Sequence, residues 1–220
     1  MTSDRWGTRS YTCGPFQTNV YMLVDTARRE AWLVDPAPGS EPILEEIKKE
    51  GLTLRVILNT HAHLDHIFHN RLFKESTGAE IWIHSEDVPF LEAAEEQGRM
   101  FGVQVPSSPP PDRILSDGER LQFADLEFEV IHTPGHTPGG VCLYTPGLLV
   151  AGDTLFAGSI GRTDLPGGSY STLIRSVQDR LLPLPDATRV LSGHGPETTI
   201  GSERRANPFI LQPEAYGSIG

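Results

Sequence analysis

The chain has 220 residues, 38% of them hydrophobic, and a formal net charge of −11 at pH 7. This length and apolar content are enough for one large α/β domain with a substantial core. The acidic charge disfavours a nucleic-acid partner, whose phosphates attract a basic surface, and an anionic substrate would need a local cationic group to bind.

Alternating apolar and turn-forming residues predict a series of short strands and helices along the chain. The predicted strands are Val20–Val24, Ala31–Val34, Leu54–Leu58, Ile81–His84, Arg120–Phe123, Leu126–Ile131, Val141–Tyr144 and Leu148–Ala151. The predicted helices are Glu41–Glu50, Ile67–Ser76, Glu86–Glu96 and Ser169–Leu182. Ser40 and Gly51 are the expected N-cap and C-terminal stop of the first helix. The Pro-rich stretch Gly98–Pro111 is predicted to be a surface connection, with a substrate-flanking lid as the alternative.

The N-terminus and the cysteines indicate a cellular compartment. Residues 1–7 contain no apolar signal-peptide core, and no apolar stretch approaches the length of a membrane span. We therefore expect a cytoplasmic protein without a membrane partner. The two cysteines are Cys13 and Cys142, and Cys142 lies in an apolar, strand-like run. This usage predicts buried, unreactive thiols and no disulfide framework.

The segment after the strand Leu54–Leu58 carries three of the eight histidines of the chain within six positions. Its side chains of ligand type are His61, His63, Asp65 and His66. Imidazole nitrogens and carboxylate oxygens bind first-row divalent metals, and a loop after a strand can direct alternate side chains into one cavity. The spacing therefore predicts a metal-binding loop.

Three later segments each combine an apolar run, a Gly or Pro turn and one residue of ligand type, namely His136, Asp153 and His194. Loops on a rigid scaffold collect ligands from distant sequence in this way. Together with the first cluster they supply seven candidate ligands, which is more than one tetrahedral ion takes and predicts two ions. His132, just before the first of these turns, is expected to support the turn and not to bind metal.

The order His-x-His-x-Asp-His, a lone His, an Asp and a final His resembles the metallo-β-lactamase superfamily over nearly the whole chain. The resemblance implies an α/β fold, a four-layer αββα sandwich with the metal site at one edge of its two sheets. The ligand sets that it implies are His61, His63 and His136 for the first ion, Asp65, His66 and His194 for the second, and Asp153 as the bridge. β-Lactamases of the commonest class carry Cys at the position of Asp153, which favours a hydrolase of another branch.

Within the superfamily the chain is most similar to short glyoxalase II-like hydrolases and the related persulfide dioxygenases. The segments that carry this resemblance are Gly152–Phe156, Gly158–Asp164, Gly193–Gly201 and Asn207–Phe209. The His-Gly-Pro sequence that begins at His194 is typical of the hydrolases. Larger glyoxalase II enzymes add a C-terminal helical domain that holds glutathione. This chain is expected to lack such a domain and to form a single domain over residues 1–220.

The resemblance implies an enzyme, a metal-dependent hydrolase that cleaves a thioester such as a hydroxyacyl-glutathione with a metal-bound hydroxide. Two divalent ions are expected, with zinc favoured and iron or manganese as alternatives. Asp65 and Asp153 are the catalytic candidates because they orient the nucleophile, and Asp65 is placed to accept a proton. A lactonase is one alternative. The other is a mononuclear iron persulfide dioxygenase that uses His61, His136 and Asp153.

Arg162 and Tyr170 are the candidate substrate-binding residues. A guanidinium group matches a carboxylate, and the similar dioxygenases use the matching arginine on glutathione. An ion pair between Arg162 and Asp164 is an equal alternative, and Tyr170 is as easily a packing anchor. The expected partner is a small-molecule thioester, with glutathione as a candidate thiol. The acyl group and the oligomeric state stay open.

Overall fold

The computed structural model describes residues 6–216. The chain divides into two compact units, one formed by the chain up to Ile114 with Gln122–Leu126, the other by Leu115–Leu121 with the chain from Glu127 onward. Each unit contains most of one six-stranded mixed sheet. No helix within residues 6–216 has the length and apolar character that crossing a membrane requires.

The first sheet has the strand order β1-β2-β3-β4-β5-β6. Its strands are β1 (Trp6–Cys13), β2 (Thr18–Asp25), β3 (Glu30–Val34), β4 (Thr53–Leu58), β5 (Glu80–His84) and β6 (Arg113–Leu115). The first three strands are antiparallel, whereas β3, β4 and β5 run parallel to one another. Because neighbouring parallel strands end at the same edge of a sheet, the loops that follow β3 and β4 leave side by side.

Helix α1 (Glu41–Glu50) has the predicted bounds and packs Ile43, Leu44 and Ile47 into the core of the first unit. It ends at Gly51, which adopts the left-handed conformation with φ 61°, a conformation that costs glycine little. Ser40 occupies the N-cap position without capping through its side chain, since its hydroxyl donates to the carbonyl of Ala37 at 2.7 Å.

The predicted helix Ile67–Ser76 is in fact two helices, α2 (Leu64–Ile67) and α3 (Asn70–Thr77). The helix is interrupted at His69, because its backbone N–H donates to the carbonyl of Pro36 at 2.8 Å and not to a carbonyl of the preceding helical turn. The apolar pattern is continuous across this break, and the residue that competes for the N–H is remote in sequence. The sequence alone therefore predicted one helix.

The predicted helix Glu86–Glu96 likewise divides. A single 3-10 turn precedes α4 (Val88–Glu92), and α5 (Ala94–Met100) follows after Ala93. Pro89 lies in the first turn of α4, the part of a helix that tolerates a residue without N–H. The predicted connection Gly98–Pro111 begins later than expected, because Gly98–Met100 belong to α5. Residues 103–111 contain no helix or strand.

The second sheet has the order β14-β13-β10-β9-β8-β7, and a separate hairpin is formed by β11 and β12. The strands are β7 (Arg120–Phe123), β8 (Leu126–His132), β9 (Val141–Thr145), β10 (Leu148–Gly152), β11 (Leu155–Phe156), β12 (Ser159–Ile160), β13 (Arg189–Ser192) and β14 (Thr198–Thr199). Strands β10 and β13 are parallel, so the loops after them, which carry Asp153 and His194, leave the same edge.

The helices of the second unit are α6 (Tyr170–Ser176), α7 (Ile200–Ala206), α8 (Pro208–Leu211) and α9 (Pro213–Tyr216). A π-helical turn, Val177–Leu181, continues α6 almost to the predicted end. The predicted apolar stripe Leu173, Ile174, Val177 and Leu181 is buried in the core, which confirms the helical spacing. Glu203, within α7, and Asn207, the C-cap of α7, are polar residues that are nevertheless buried.

Both cysteines are buried free thiols, as the sequence predicted. Burial raises the pKa of Cys142 to about 11 and also raises that of Cys13. Since the thiolate is the reactive form, we expect neither thiol of the folded protein to react with iodoacetamide at mildly alkaline pH. The same protein in guanidinium chloride is the control and should alkylate at both positions. Rapid alkylation of Cys142 in the native protein, measured by mass spectrometry, would contradict this prediction.

Candidate metal centre

The ligand-type residues of the first unit lie on the loop after β4 and on α2. The imidazole centroids of His61 and His63 are 4.9 Å apart, and those of His61 and His66 are 4.1 Å apart. Nε2 of His66 lies 3.4 Å from Oδ2 of Asp65. The three histidines are buried and Asp65 is partly exposed. The first unit therefore gathers these four residues in one place.

Asp35 is a buried carboxylate at this cluster that sequence reasoning missed. Its Oδ1 accepts a hydrogen bond from the backbone N–H of Thr60 at 2.8 Å, and its Oδ2 accepts one from the Thr60 hydroxyl at 2.6 Å. The same Oδ2 lies 3.0 Å from Nδ1 of His66. A carboxylate can only accept there, so Nδ1 of His66 carries the proton and Nε2 is left as the ligand atom.

Thr60 extends this arrangement to a second imidazole. Its hydroxyl oxygen is 3.1 Å from Nδ1 of His61. Because the hydroxyl proton is directed to Asp35, the oxygen accepts from Nδ1 of His61, which again leaves Nε2 as the ligand atom. The signal for Asp35 was present in the sequence, since an acidic residue follows the apolar strand Ala31–Val34 just as Asp153 follows a later strand.

Two further side chains hold the backbone on both sides of His63. Oδ2 of the buried Asp87 accepts from the N–H of Ala62 at 2.8 Å. The amide of Gln97, on α5, donates to the carbonyl of Ala62 at 2.8 Å and accepts from the N–H of Leu64 at 3.1 Å. The carbonyl of Ala62 and the N–H of Leu64, on either side of His63, are thus held by one side chain, which restrains the backbone that carries the His63 imidazole.

We expect Gln97→Met to weaken metal binding about tenfold, because the substitution preserves length but removes both hydrogen bonds to the loop. A fall in thermal stability should accompany it, since buried peptide groups lose partners. Competition with a chromogenic chelator measures the affinity. Gln122→Met is the matched control, because the Gln122 amide also donates to two backbone carbonyls, those of Ala124 and Leu126, at an exposed position. Equal affinities for the two variants would contradict the prediction.

The second unit gathers His136, Asp153 and His194. Nε2 of each histidine lies 3.5 Å from Oδ2 of Asp153. Nδ1 of His136 donates to the backbone carbonyl of Arg162 at 2.7 Å, which makes Nε2 the ligand atom. The buried Oδ1 of Asp153 accepts no hydrogen bond from the described residues. His132, by contrast, donates from Nε2 to the carbonyl of Pro138 at 2.8 Å and braces the turn, as its position in the sequence indicated.

The donor chemistry of both clusters fits divalent ions. Imidazole nitrogens and carboxylate oxygens are the donors that zinc and iron take in proteins. His61, His66 and His136 each turn Nδ1 to an oxygen atom of the protein. That orientation is typical of metal-binding imidazoles, whose second nitrogen is held by a carboxylate or carbonyl.

The two residues predicted to bind substrate have protein partners. Arg162 forms a bidentate ion pair with Asp164, at 2.8 and 2.7 Å, so the ion pair left open by the sequence is present. Hydrogen bonding from this guanidinium lowers the pKa of Asp164 to about 2. The hydroxyl of Tyr170 donates to the carbonyl of Pro213 at 2.8 Å, which ties α6 to α9.

Two mixed sheets, with histidines and carboxylates gathered in loops at their strand ends, define a metal-binding α/β protein. The sequence profile of the metallo-β-lactamase superfamily matches residues 13–194. The chain belongs to the metallo-β-lactamase superfamily, has its α/β fold with two mixed sheets, and is a metal-dependent hydrolase of that superfamily. The resemblance inferred from the ligand order is thereby confirmed.

Individual relatives align along nearly the whole chain. Hydroxyacylglutathione hydrolase GloC of Haemophilus influenzae is 41% identical over 199 residues, which cover 89% of this chain and 93% of that protein. The crystal structure of BLEG-1 B3 metallo-β-lactamase is 38% identical with a TM-score of 0.86, covering 93% of this chain and 99% of that one. The crystal structure of TTHA1623 in a di-iron-bound form is 40% identical with a TM-score of 0.82, and the match covers 91% of this chain and 99% of that one.

Proposed function

We propose that this hydrolase cleaves a thioester of the hydroxyacyl-glutathione type. The observation that carries the proposal is the 41% identity to a hydroxyacylglutathione hydrolase along 93% of that protein. The His-Gly-Pro sequence at His194, which is typical of such hydrolases, supports the same choice.

We propose further that the seven ligand-type residues of the chain hold two divalent ions. The proposed ligands are His61, His63, Asp65, His66, His136, Asp153 and His194. Support comes from the family membership and from the direction of the histidine Nε2 atoms within each cluster. Zinc is the metal we propose, with iron as the alternative, which a relative in a di-iron-bound form supports.

Ions in such a site lower the pKa of a coordinated water and polarise a carbonyl group. The residues of the chain supply orientation and proton transfer. Asp35 and the carbonyl of Arg162 hold the imidazoles of His66 and His136. The hydroxyl of Thr18 donates to Oδ2 of Asp65 at 2.8 Å. That bond orients the carboxylate that we propose to accept a proton when the thioester is cleaved.

Substrate recognition has to overcome the net charge of −11, since a glutathione moiety is itself anionic. We propose that Arg162 binds a substrate carboxylate in place of Asp164. The present ion pair is exposed, and exposed ion pairs contribute little free energy, so the exchange costs little. Tyr170 is proposed to line the same region with its ring, while its hydroxyl stays bound to Pro213.

The test is an assay of purified protein with defined metal content on S-lactoylglutathione. We expect turnover above background, loss of turnover after chelator dialysis, and recovery when zinc or iron is returned. A homoserine lactone is measured in parallel, together with oxygen uptake on glutathione persulfide. The proposal is wrong if thioester turnover stays at background while either alternative substrate is consumed.

A second candidate function is β-lactam hydrolysis. The observation that favours it is the similarity to a B3 metallo-β-lactamase, which is 38% identical with a TM-score of 0.86. The match covers 99% of that chain. A chromogenic cephalosporin is therefore the third parallel substrate. If its kcat/KM exceeds that of the thioester, the order of the two candidates is reversed.

A further inference from the structure

Glu203 and Asn207 form a buried polar pair in the second unit. Neither residue is a proposed ligand of the metal ions or of the substrate. Glu203 is 4% exposed and Asn207 is completely buried. Removing a carboxylate from water is costly unless hydrogen bonds compensate for it. The partners of this pair therefore indicate what it does.

Those partners lie mainly in the hairpin of β11 and β12. Oε2 of Glu203 accepts from the backbone N–H of Gly158 at 2.8 Å and from the amide of Asn207 at 2.8 Å. Oε1 accepts from the hydroxyl of Thr198 at 2.5 Å. The Asn207 amide also donates to the carbonyl of Ser159 at 2.9 Å. The pair thus holds Gly158, in the turn of the hairpin, and Ser159, the first residue of β12.

The same hairpin contacts the ligand-type residues of this unit. It begins just after Asp153, and it leads into Arg162, whose carbonyl accepts from Nδ1 of His136. The ring of Phe156, in β11, meets the imidazole of His194 edge to face, with centroids 6.0 Å apart.

Gly161 shows how closely this segment lies against the ligands. A Cβ atom at Gly161 would stand 1.9 Å from the carbonyl oxygen of Asp153 and 3.0 Å from Nδ1 of His136. Real Cβ atoms essentially never approach a heavy atom within 3.0 Å. A displacement of the hairpin is therefore passed directly to the backbone of Asp153 and the ring of His136.

We propose that Glu203 and Asn207 are positioning residues for the metal centre: they fix the β11–β12 hairpin so that the Arg162 carbonyl holds His136 and Gly161 lies against Asp153. The proposal rests on the metal site of the proposed function but not on its substrate. Substituting the pair should leave every proposed metal ligand in place in the sequence. The side chains of these ligands should be less well oriented for binding an ion. Outer partners of metal ligands have effects of this kind.

The first test compares Glu203→Ala with Glu203→Gln. Glutamine can accept from Gly158 and Asn207 through its oxygen and can donate to the Thr198 hydroxyl, which is able to accept. We expect Glu203→Gln to bind zinc within about twofold of wild type and Glu203→Ala to bind about tenfold more weakly. Chelator competition measures both. Arg205→Gln is the control on the same helix, because Arg205 is exposed and pairs with Asp186.

A second measurement uses the wild-type protein and stays informative if Glu203→Ala does not fold. Amide hydrogen exchange at Gly158 should slow when zinc is added, because zinc orders the side chains that bind it and thereby the hairpin that contacts them. Unchanged exchange at Gly158 would overturn the proposal, as would a folded Glu203→Ala variant with wild-type zinc affinity. Neither readout uses substrate, so a negative thioesterase assay leaves this test intact.

Discussion

Asp153→Ala is expected to lower kcat/KM by at least about 10³-fold, since metal-ion stabilisation contributes several kcal/mol and about 1.4 kcal/mol corresponds to tenfold. Asp153 is the residue on which Nε2 of His136 and Nε2 of His194 converge, each at 3.5 Å from Oδ2. Its loss removes the one carboxylate of the cluster formed by His136, Asp153 and His194. Steady-state kinetics on the best substrate of the assay measures the effect.

A stability measurement separates this effect from misfolding. Zinc should raise the Tm of the wild type, because a ligand that binds only the folded state stabilises it. The same addition should leave the Tm of Asp153→Ala nearly unchanged, while its metal-free Tm stays near that of the wild type. Asp179→Ala, at an exposed position of the same unit, is the control. Retained turnover in Asp153→Ala would show that Asp153 is not a ligand.

Asp35→Asn is expected to weaken metal binding about 10- to 100-fold with little change of shape. The asparagine oxygen can still accept from the N–H of Thr60, but the amide then faces Nδ1 of His66 with a donor. His66 must accept at Nδ1 and carry its proton on Nε2, the atom that would bind metal. Asparagine also tolerates the left-handed backbone of Asp35, φ 55°. Chelator competition and NMR of the imidazole nitrogens measure affinity and tautomer.

Asp25→Asn is the matched control for this prediction. Asp25 is also a buried aspartate of the first unit, accepting from the N–H groups of Ala27 and Arg28 and from the Arg28 guanidinium. It ends β2, whereas Thr18, which contacts Asp65, begins that strand. We expect Asp25→Asn to lower stability and leave metal affinity unchanged. If both variants lost affinity equally, the tautomer argument for Asp35 would fail.

The secondary structure was predictable where the pattern is local. Helix Glu41–Glu50 and strand Arg120–Phe123 have the predicted bounds, because apolar spacing and turn residues suffice there. Strand β1 was missed: all of its residues except Cys13 are partly buried or exposed, so the apolar signal is weak, and the strand is held by its ladder to β2. The helix breaks at His69 and Ala93 were missed because the apolar pattern continues through them.

The sequence by itself determined the family, the seven ligand-type residues and their order along the chain, because donor type and close spacing are local properties. Only the tertiary structure shows the distant side chains that hydrogen-bond to the segments carrying them. Asp35 reaches Thr60 across 25 positions, Gln97 reaches Ala62 across 35, and Glu203 reaches Gly158 across 45. A hydrogen bond between such distant residues depends on how the sheets and helices bring their backbones together, and no local pattern encodes that approach.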